Sequence, residues 1–433
     1  MSATSATAVP QPNWRNHLFQ ALQKMGRSLQ LPIAVLPAAG ILNRFGQPDM
    51  FGTDGLGWTD VAKVMAAAGG ALLNADLGLP LLFCVGVAIG MAKKADGSTA
   101  LAAVVGFLVY RSVLRVFPTP CPTGTKDIGG GCLGPDDTFA EYTFQNPGVF
   151  GGIVMGLLGA WFWQRYHRVK LVDWLGFFNG RRLVPIIMTF VAIAFASLCL
   201  WIWPPIGDGL ESFSDWLVGL SSLGSGIFGV ANRALLVIGL HQFLNVPVWF
   251  QFGSYTKPDG QVVHGDIPMF LAGDPNAGQF LSGFFPIMMF ALPAAALAIT
   301  HCAKPVRRKE VGGLMLSVAL TSFVTGITEP LEYSFLFVAP ALYAVHALLT
   351  GVSMAVTWGL GVHDGFSFSA GLIDYVINWG LATKPWLIIP IGLCFAVVYY
   401  VVFRFAITKF DIPTPGRETD EEIAAMEADN TKA

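Results

Sequence analysis

Apolar runs of about 17–25 residues, each long enough to cross the hydrocarbon core of a bilayer, recur along this chain from residue 31 to residue 406. Such runs leave little room for any fold but an all-α polytopic membrane protein. Of the 433 residues, 54% are hydrophobic and 12% charged, the latter about half the share usual in a soluble domain. A net charge of −2 argues against a nucleic-acid partner. The N-terminal "MSATSATAVPQPNW" lacks a basic region running into an apolar one, so no cleaved secretory signal is expected.

The runs divide into about ten spans. The first is "LPIAVLPAAGIL", closed by Arg44, and the others lie near 71–92, 99–117, 148–164, 183–205, 277–302, 311–328, 333–349, 351–378 and 385–406. Ahead of them, Trp14, Leu18, Leu22, Met25 and Leu29 recur at helical spacing with Arg15, Lys24 and Arg27 on other faces. That pattern predicts an amphipathic helix on the membrane surface. With a cytoplasmic N-terminus, Lys93, Lys94, Arg165, Arg168, Lys170, Arg181 and Arg182 all fall inside. Arg111 and Arg115 are exceptions that snorkelling would excuse, and the acidic "IGDGLESFSD" falls outside.

The run 217–250 breaks this scheme. If it crossed fully, the basic "KPVRRKE" after residue 303 would lie outside, so a re-entrant hairpin is expected instead. Non-helical backbone at that depth is tolerated where it lines a cavity. The run also carries Arg233 and His241, and ionisable groups at depth usually mark a substrate or ion path. A second break is expected at "GITEP", where Gly326 and Pro330 flank Glu329 beside Thr328, as in discontinuous transporter helices. Glu332 lies one helical turn further and could share a face with Glu329. Carboxylate, imidazole and amide groups together suit a neutral polyhydroxylated solute, whose hydroxyls both donate and accept. A proton-coupled symporter would use the same residue types.

Cys84, Cys199, Cys302 and Cys394 sit in apolar runs and read as small buried hydrophobes. Cys121 and Cys132 bracket a polar, Gly-rich loop and could pair if it faces an oxidising side. No spacing suggests a metal, and no cofactor is expected.

"LPIAVLPAAGIL", "IGLHQFLN", "GDIPMFLAGDPNAGQFLSGFFPIMMFALPAAALA", "GITEPLEYSFLFVAP", "GFSFSAGLIDY" and "TPGRE" together resemble enzyme IIC of the glucose and N-acetylglucosamine branch of the bacterial phosphotransferase system. The resemblance covers roughly residues 15–418. It implies an elevator-type permease that imports a hexose while a phosphocysteine on enzyme IIB phosphorylates the 6-hydroxyl, with IIA, HPr and enzyme I upstream. It also implies a homodimer in the bacterial cytoplasmic membrane. Residues 1–30 would be the tail and interfacial helix, 31–210 the dimerising domain, 211–408 the sugar-transport domain and 409–433 a disordered acidic cytoplasmic tail.

Carried over by motif, Glu329 matches the family's essential carboxylate, His241 the histidine of the sugar site, and Arg233 a basic position upstream. Many relatives read GLHH where this chain has His241 and Gln242. Glu329 and His241 are the expected catalytic pair. Arg233, Gln242, Asn245, Gly326, Thr328 and Glu332 are the expected substrate-binding residues. No cysteine follows Cys394, so IIB is expected on a separate protein, with Arg181, Arg182, Arg307 and Arg308 as docking charges. Overall resemblance to stand-alone subunits favours N-acetylglucosamine. A glucose permease, or a secondary transporter that modifies nothing, is the alternative.

Overall fold

The computed structural model describes residues 34–417 apart from 75, 120–125, 128–130, 134–138, 142–143, 145, 238, 240, 258–259, 261, 337 and 368, together with residues 24, 25, 28, 29 and 32 further upstream. Its first half is built from α1 (Leu36–Phe45), α2 (Thr59–Leu73), α3 (Gly78–Met91), α4 (Gly97–Leu114), α5 (Gly148–Tyr166) and α6 (Leu183–Gly219). Asp96 starts α4 with a capping box. Its carboxylate accepts from Ser98 N at 2.9 Å, and its own N–H donates to Thr99 Oγ1 at 3.2 Å. Small residues let α5 press against α3: a Cβ on Gly152 would lie 2.2 Å from the Pro80 carbonyl oxygen, and one on Gly156 2.5 Å from that of Cys84.

The second half contains α7 (Ser222–Leu236), α8 (His241–Phe250), α9 (Asp266–Leu271), a π-helical turn (Pro286–Ala291) leading into α10 (Leu292–Cys302), and α11 (Arg308–Thr325). It continues with α12 (Glu329–Leu336), α13 (Pro340–Gly359), α14 (Leu372–Ile377) and α15 (Ile388–Lys409). Gly226 and Gly229 face Gly351, where added Cβ atoms would sit 3.2 and 3.1 Å from its backbone, so α7 and α13 cross closely. Two cores result. One unites α3–α6 around Phe107, Tyr110, Trp163 and Met188, and the other unites the later helices around Phe228, Phe285, Phe335 and Tyr399. Leu36 of α1, with Phe83 and Val149 of α3 and α5, belongs to the second core.

Among the described residues, four helices are long and apolar enough to span a membrane, at 97–114, 180–219, 340–359 and 385–409. The pair Thr59–Leu73 and Gly78–Met91, bent by 49°, forms a fifth if taken as one span.

Several boundaries depart from the sequence reading. "IGDGLESFSD" is no loop: α6 runs for 37 residues through Pro204 and Pro205, whose φ suits a helix although each proline removes an intrahelical donor and crowds the carbonyl four residues back. The expected domain limit at residue 210 therefore falls inside a helix. The spans expected at 333–349 and 351–378 are replaced by the short α12, the 20-residue α13 beginning at Pro340, and an irregular stretch before α14. Two small sheets, β1–β3 (Lys126–Asp127, Gly131–Leu133, Phe139–Glu141) and β4–β5 (Ser254–Thr256, Val262–His264), interrupt the otherwise helical chain. Tyr255 pairs with Val263, residue types that fit a pleated surface.

Arg111 and Arg115 do not merely snorkel. Both pair with Asp76, to which Asn146 also donates at 3.1 Å. Arg181 pairs with Asp96 at 2.6 Å, and Arg308 donates to the carbonyls of His301 and Ala303 at 3.3 Å. Most of the surface helix expected over 14–29, and the side chains of Cys121 and Cys132, fall outside the described residues. Where the sequence suggested a tail from 409, residues up to 417 fold back. Lys304 N donates to Gly416 O at 2.9 Å, Arg417 to Cys302 O at 3.2 Å, and Thr414 is buried.

Candidate functional site

The chain breaks twice, and the two breaks meet at one cavity. After α7 ends at Leu236, Gly239 takes φ +72° before α8 begins with His241. After α11, Gly326 takes the left-handed conformation at φ +74° and its N–H closes on Ser322 O at 2.9 Å. This is the helix-ending role that glycine fills most cheaply. A Cβ there would lie 2.5 Å from Ser369 Oγ, which donates to the Gly326 carbonyl at 2.9 Å. Helix α12 then opens with Glu329 and Pro330, an acid and a proline in the first turn, as the helix dipole and the missing proline N–H favour.

Between these breaks lies a cavity of about 560 Å³, counted to its open mouth. Arg233, His241, Gln242, Asn245, Gly326, Thr328 and Glu329 all line it. Glu332 does not. It is fully buried behind the wall, where its Oε1 accepts from Arg233 Nη1 at 2.7 Å and lies 3.4 Å from His346 Nε2. The Tyr399 hydroxyl sits 2.9 Å from His346 Nδ1, leaving Nε2 to face the carboxylate. Tyr343 OH donates to the Arg233 carbonyl at 2.8 Å. Arg233 lies 5.1 Å over the Phe284 ring, and its Nη1 is 3.4 Å from Thr328 Oγ1. Glu332 thus neutralises Arg233, while Glu329 is left as the carboxylate that faces the cavity.

The opposite wall is a string of amides. Asn232 donates to Asn245 Oδ1 at 2.5 Å, Asn245 donates to Gln242 Oε1 at 3.5 Å, and Gln242 Nε2 meets His241 Nε2 at 3.0 Å. With Gln242 donating, neutral His241 carries its proton on Nδ1, which has no partner among the described residues. Arg233 Nε is likewise a buried donor without a partner among the described residues. The cavity therefore offers several donors, one carboxylate and the Trp249 and Phe284 rings, the set expected around a polyol.

The sequence reading did not single out Asn232, Leu236, Trp249, Phe284, Met288, Ile327 or Ser369, which complete the lining. Ser369 lies in "GFSFSAGLIDY", a quoted motif without an assigned role, and Asn232 is the polar neighbour of Arg233. Met288 and Phe284 carry no local signal beyond being apolar.

The sequence matches the family model for the phosphotransferase system, EIIC, over residues 26–351. It is 63% identical over 423 residues to the PTS system N-acetylglucosamine-specific EIIC component of Streptomyces coelicolor, covering 98% of this chain and 99% of that one. It is 44% identical over 404 residues to the PTS system N-acetylglucosamine-specific EIICB component of Bacillus subtilis, covering 93% and 80%. The crystal structure of the transporter ChbC, the IIC component from the N,N'-diacetylchitobiose-specific phosphotransferase system, has a similar fold. The TM-score is 0.57 at 14% identity, over 91% of this chain and 93% of ChbC. By sequence over nearly its whole length and by fold, this chain belongs to the EIIC family of the phosphotransferase system, the membrane permease subunits of that system.

Proposed function

We propose that this permease imports N-acetylglucosamine and releases it as the 6-phosphate, with enzyme IIB as phosphoryl donor. The observation that carries the chemistry is the cavity in which Glu329, at a helix break, is joined by His241 and Gln242 from a second break. The identity of the sugar rests on the high similarity to an N-acetylglucosamine-specific component.

In this reading the O6–H proton passes to Glu329 as the O6–P bond forms and the S–P bond of the IIB phosphocysteine breaks. His241 Nδ1–H orients the same end of the sugar. Arg233, fixed in place by Glu332, supplies a positioned guanidinium donor in the cavity wall, since phosphoryl transfer depends mainly on positioning and charge stabilisation. Thr328 and Gly326 shape the break, and Asn245 holds Gln242. The later helices carry the sugar and the N-terminal domain, residues 31–210, forms the homodimer. Both termini face the cytoplasm of a bacterial inner membrane, an orientation supported by the lysine and arginine bias.

Vesicles bearing the protein should accumulate N-acetylglucosamine 6-phosphate only when phosphorylated IIB is present. Unmodified sugar driven in by a proton gradient would overturn the proposal. Glu329→Gln should insert normally and lower phosphorylation by about 10²-fold or more, the usual contribution of a positioned base. Wild-type turnover in that variant would exclude Glu329 as the proton acceptor.

A further inference from the structure

Beside the main cavity is a smaller space, about 320 Å³ when the open solvent at its mouth is counted, lined by Leu36, Gln242, Val246, Trp249, Phe250, Ile267 and Ser367. Gln242 and Trp249 line both spaces, so the two are neighbours across those side chains. Its apolar walls, Leu36, Val246, Phe250 and Ile267, are each 5% exposed or less. Besides the Gln242 amide, which is engaged with His241 and Asn245, two polar atoms interrupt them. Ser367 is 2% exposed and its Oγ has no partner among the described residues. Trp249 Nε1 is buried and also without a partner, although edge-to-face contacts with Phe284 at 6.3 Å and Phe366 at 5.3 Å fix its ring.

One donor, one acceptor and an apolar end are what an acetamido group requires. Its carbonyl accepts one hydrogen bond, its N–H donates one, and its methyl seeks an apolar wall. Building on the reading of the protein as an N-acetylglucosamine carrier, we propose that this annexe is the acetamido subsite. Trp249 Nε1–H donates to the acetamido carbonyl, Ser367 Oγ accepts from its N–H, and Val246 and Ile267 bound its methyl. Specificity at carbon two is then set apart from the 6-hydroxyl chemistry at Glu329. Leu36 comes from α1, so the annexe is closed by a helix from the first half of the chain.

The test uses the purified full-length protein, with displacement of labelled N-acetylglucosamine by 2-amino-2-deoxyglucose bearing N-acetyl or N-propionyl groups. Wild type should prefer N-acetyl. Val246→Ala enlarges the annexe and should shift the N-propionyl to N-acetyl affinity ratio toward N-propionyl by about 3- to 10-fold, a gain that mere loss of packing would not produce. Trp249→Phe keeps the ring and removes the donor. It should weaken N-acetylglucosamine about tenfold, because a buried carbonyl is then left unpaired. If neither ratio nor affinity changes, the annexe is not the subsite. If wild type fails to bind labelled N-acetylglucosamine at all, the parent reading fails first and visibly.

Discussion

Replacing Glu332 with glutamine tests how the cavity wall is held. The carboxylate is fully buried and Arg233 is 3% exposed, so the variant leaves an almost dry guanidinium opposite a neutral amide. Removing one member of such a pair costs about 3–5 kcal/mol, mainly through the uncompensated charge. Glutamine still offers an acceptor, which places the expected loss at about 3 kcal/mol. His346 cannot replace the lost anion, and the carboxylate that lines the cavity with Arg233 is Glu329. A stray Arg233 would recruit it, so phosphorylation should fall together with stability. The assay is the thermal midpoint of detergent-purified protein alongside turnover with phosphorylated IIB. The double variant Arg233→Met with Glu332→Leu removes both charges. It should recover most of the stability without recovering turnover. A Glu332→Gln protein within about 0.5 kcal/mol of wild type would refute the pairing argument.

Gly326→Ala should cost about 2 kcal/mol or more, combining the left-handed backbone with the approach to Ser369. Adding Ser369→Gly should restore part of it, since the Ala370 amide still lies 2.9 Å away; thermal midpoints of single and double variants decide this. Asp76→Asn leaves Arg111 and Arg115 facing each other without an anion and should cost about 1 kcal/mol. That loss should shrink at high salt, because the groups are partly exposed; an equal loss at both salt levels would speak against an electrostatic cause.

The break at "GITEP" could be read from the chain because Gly326 and Pro330 act locally, through backbone conformation and a missing donor. The partners of Glu332 could not. Arg233 is 99 residues away in sequence and His346 sits on another helix, so only folding sorts Glu332 to the back of the wall and Glu329 to the front. Counting charges along the chain likewise misjudged Arg111 and Arg115, whose anion lies 35 and 39 residues earlier. Helix α6 misled for a different reason. Two prolines and three acids, Asp208, Glu211 and Asp215, resemble a loop when read by composition, whereas a helix that leaves the bilayer tolerates both.

That helix also has a mechanical meaning. At 1.5 Å per residue its 37 residues measure about 55 Å, well beyond a hydrocarbon core of about 30 Å. Residues 183–203 alone measure about 31 Å, and 206–219 a further 21 Å or so. Pro204 and Pro205 leave the carbonyls of Leu200 and Trp201 without their usual donors, so compliance concentrates at the joint between a membrane-length shaft and a short crank. A bend of about 20° there would swing Gly219 by about 7 Å. Leu217 of the crank is built into the second core. Rotation at the proline pair would therefore be delivered as translation to α7 and the cavity that begins on it.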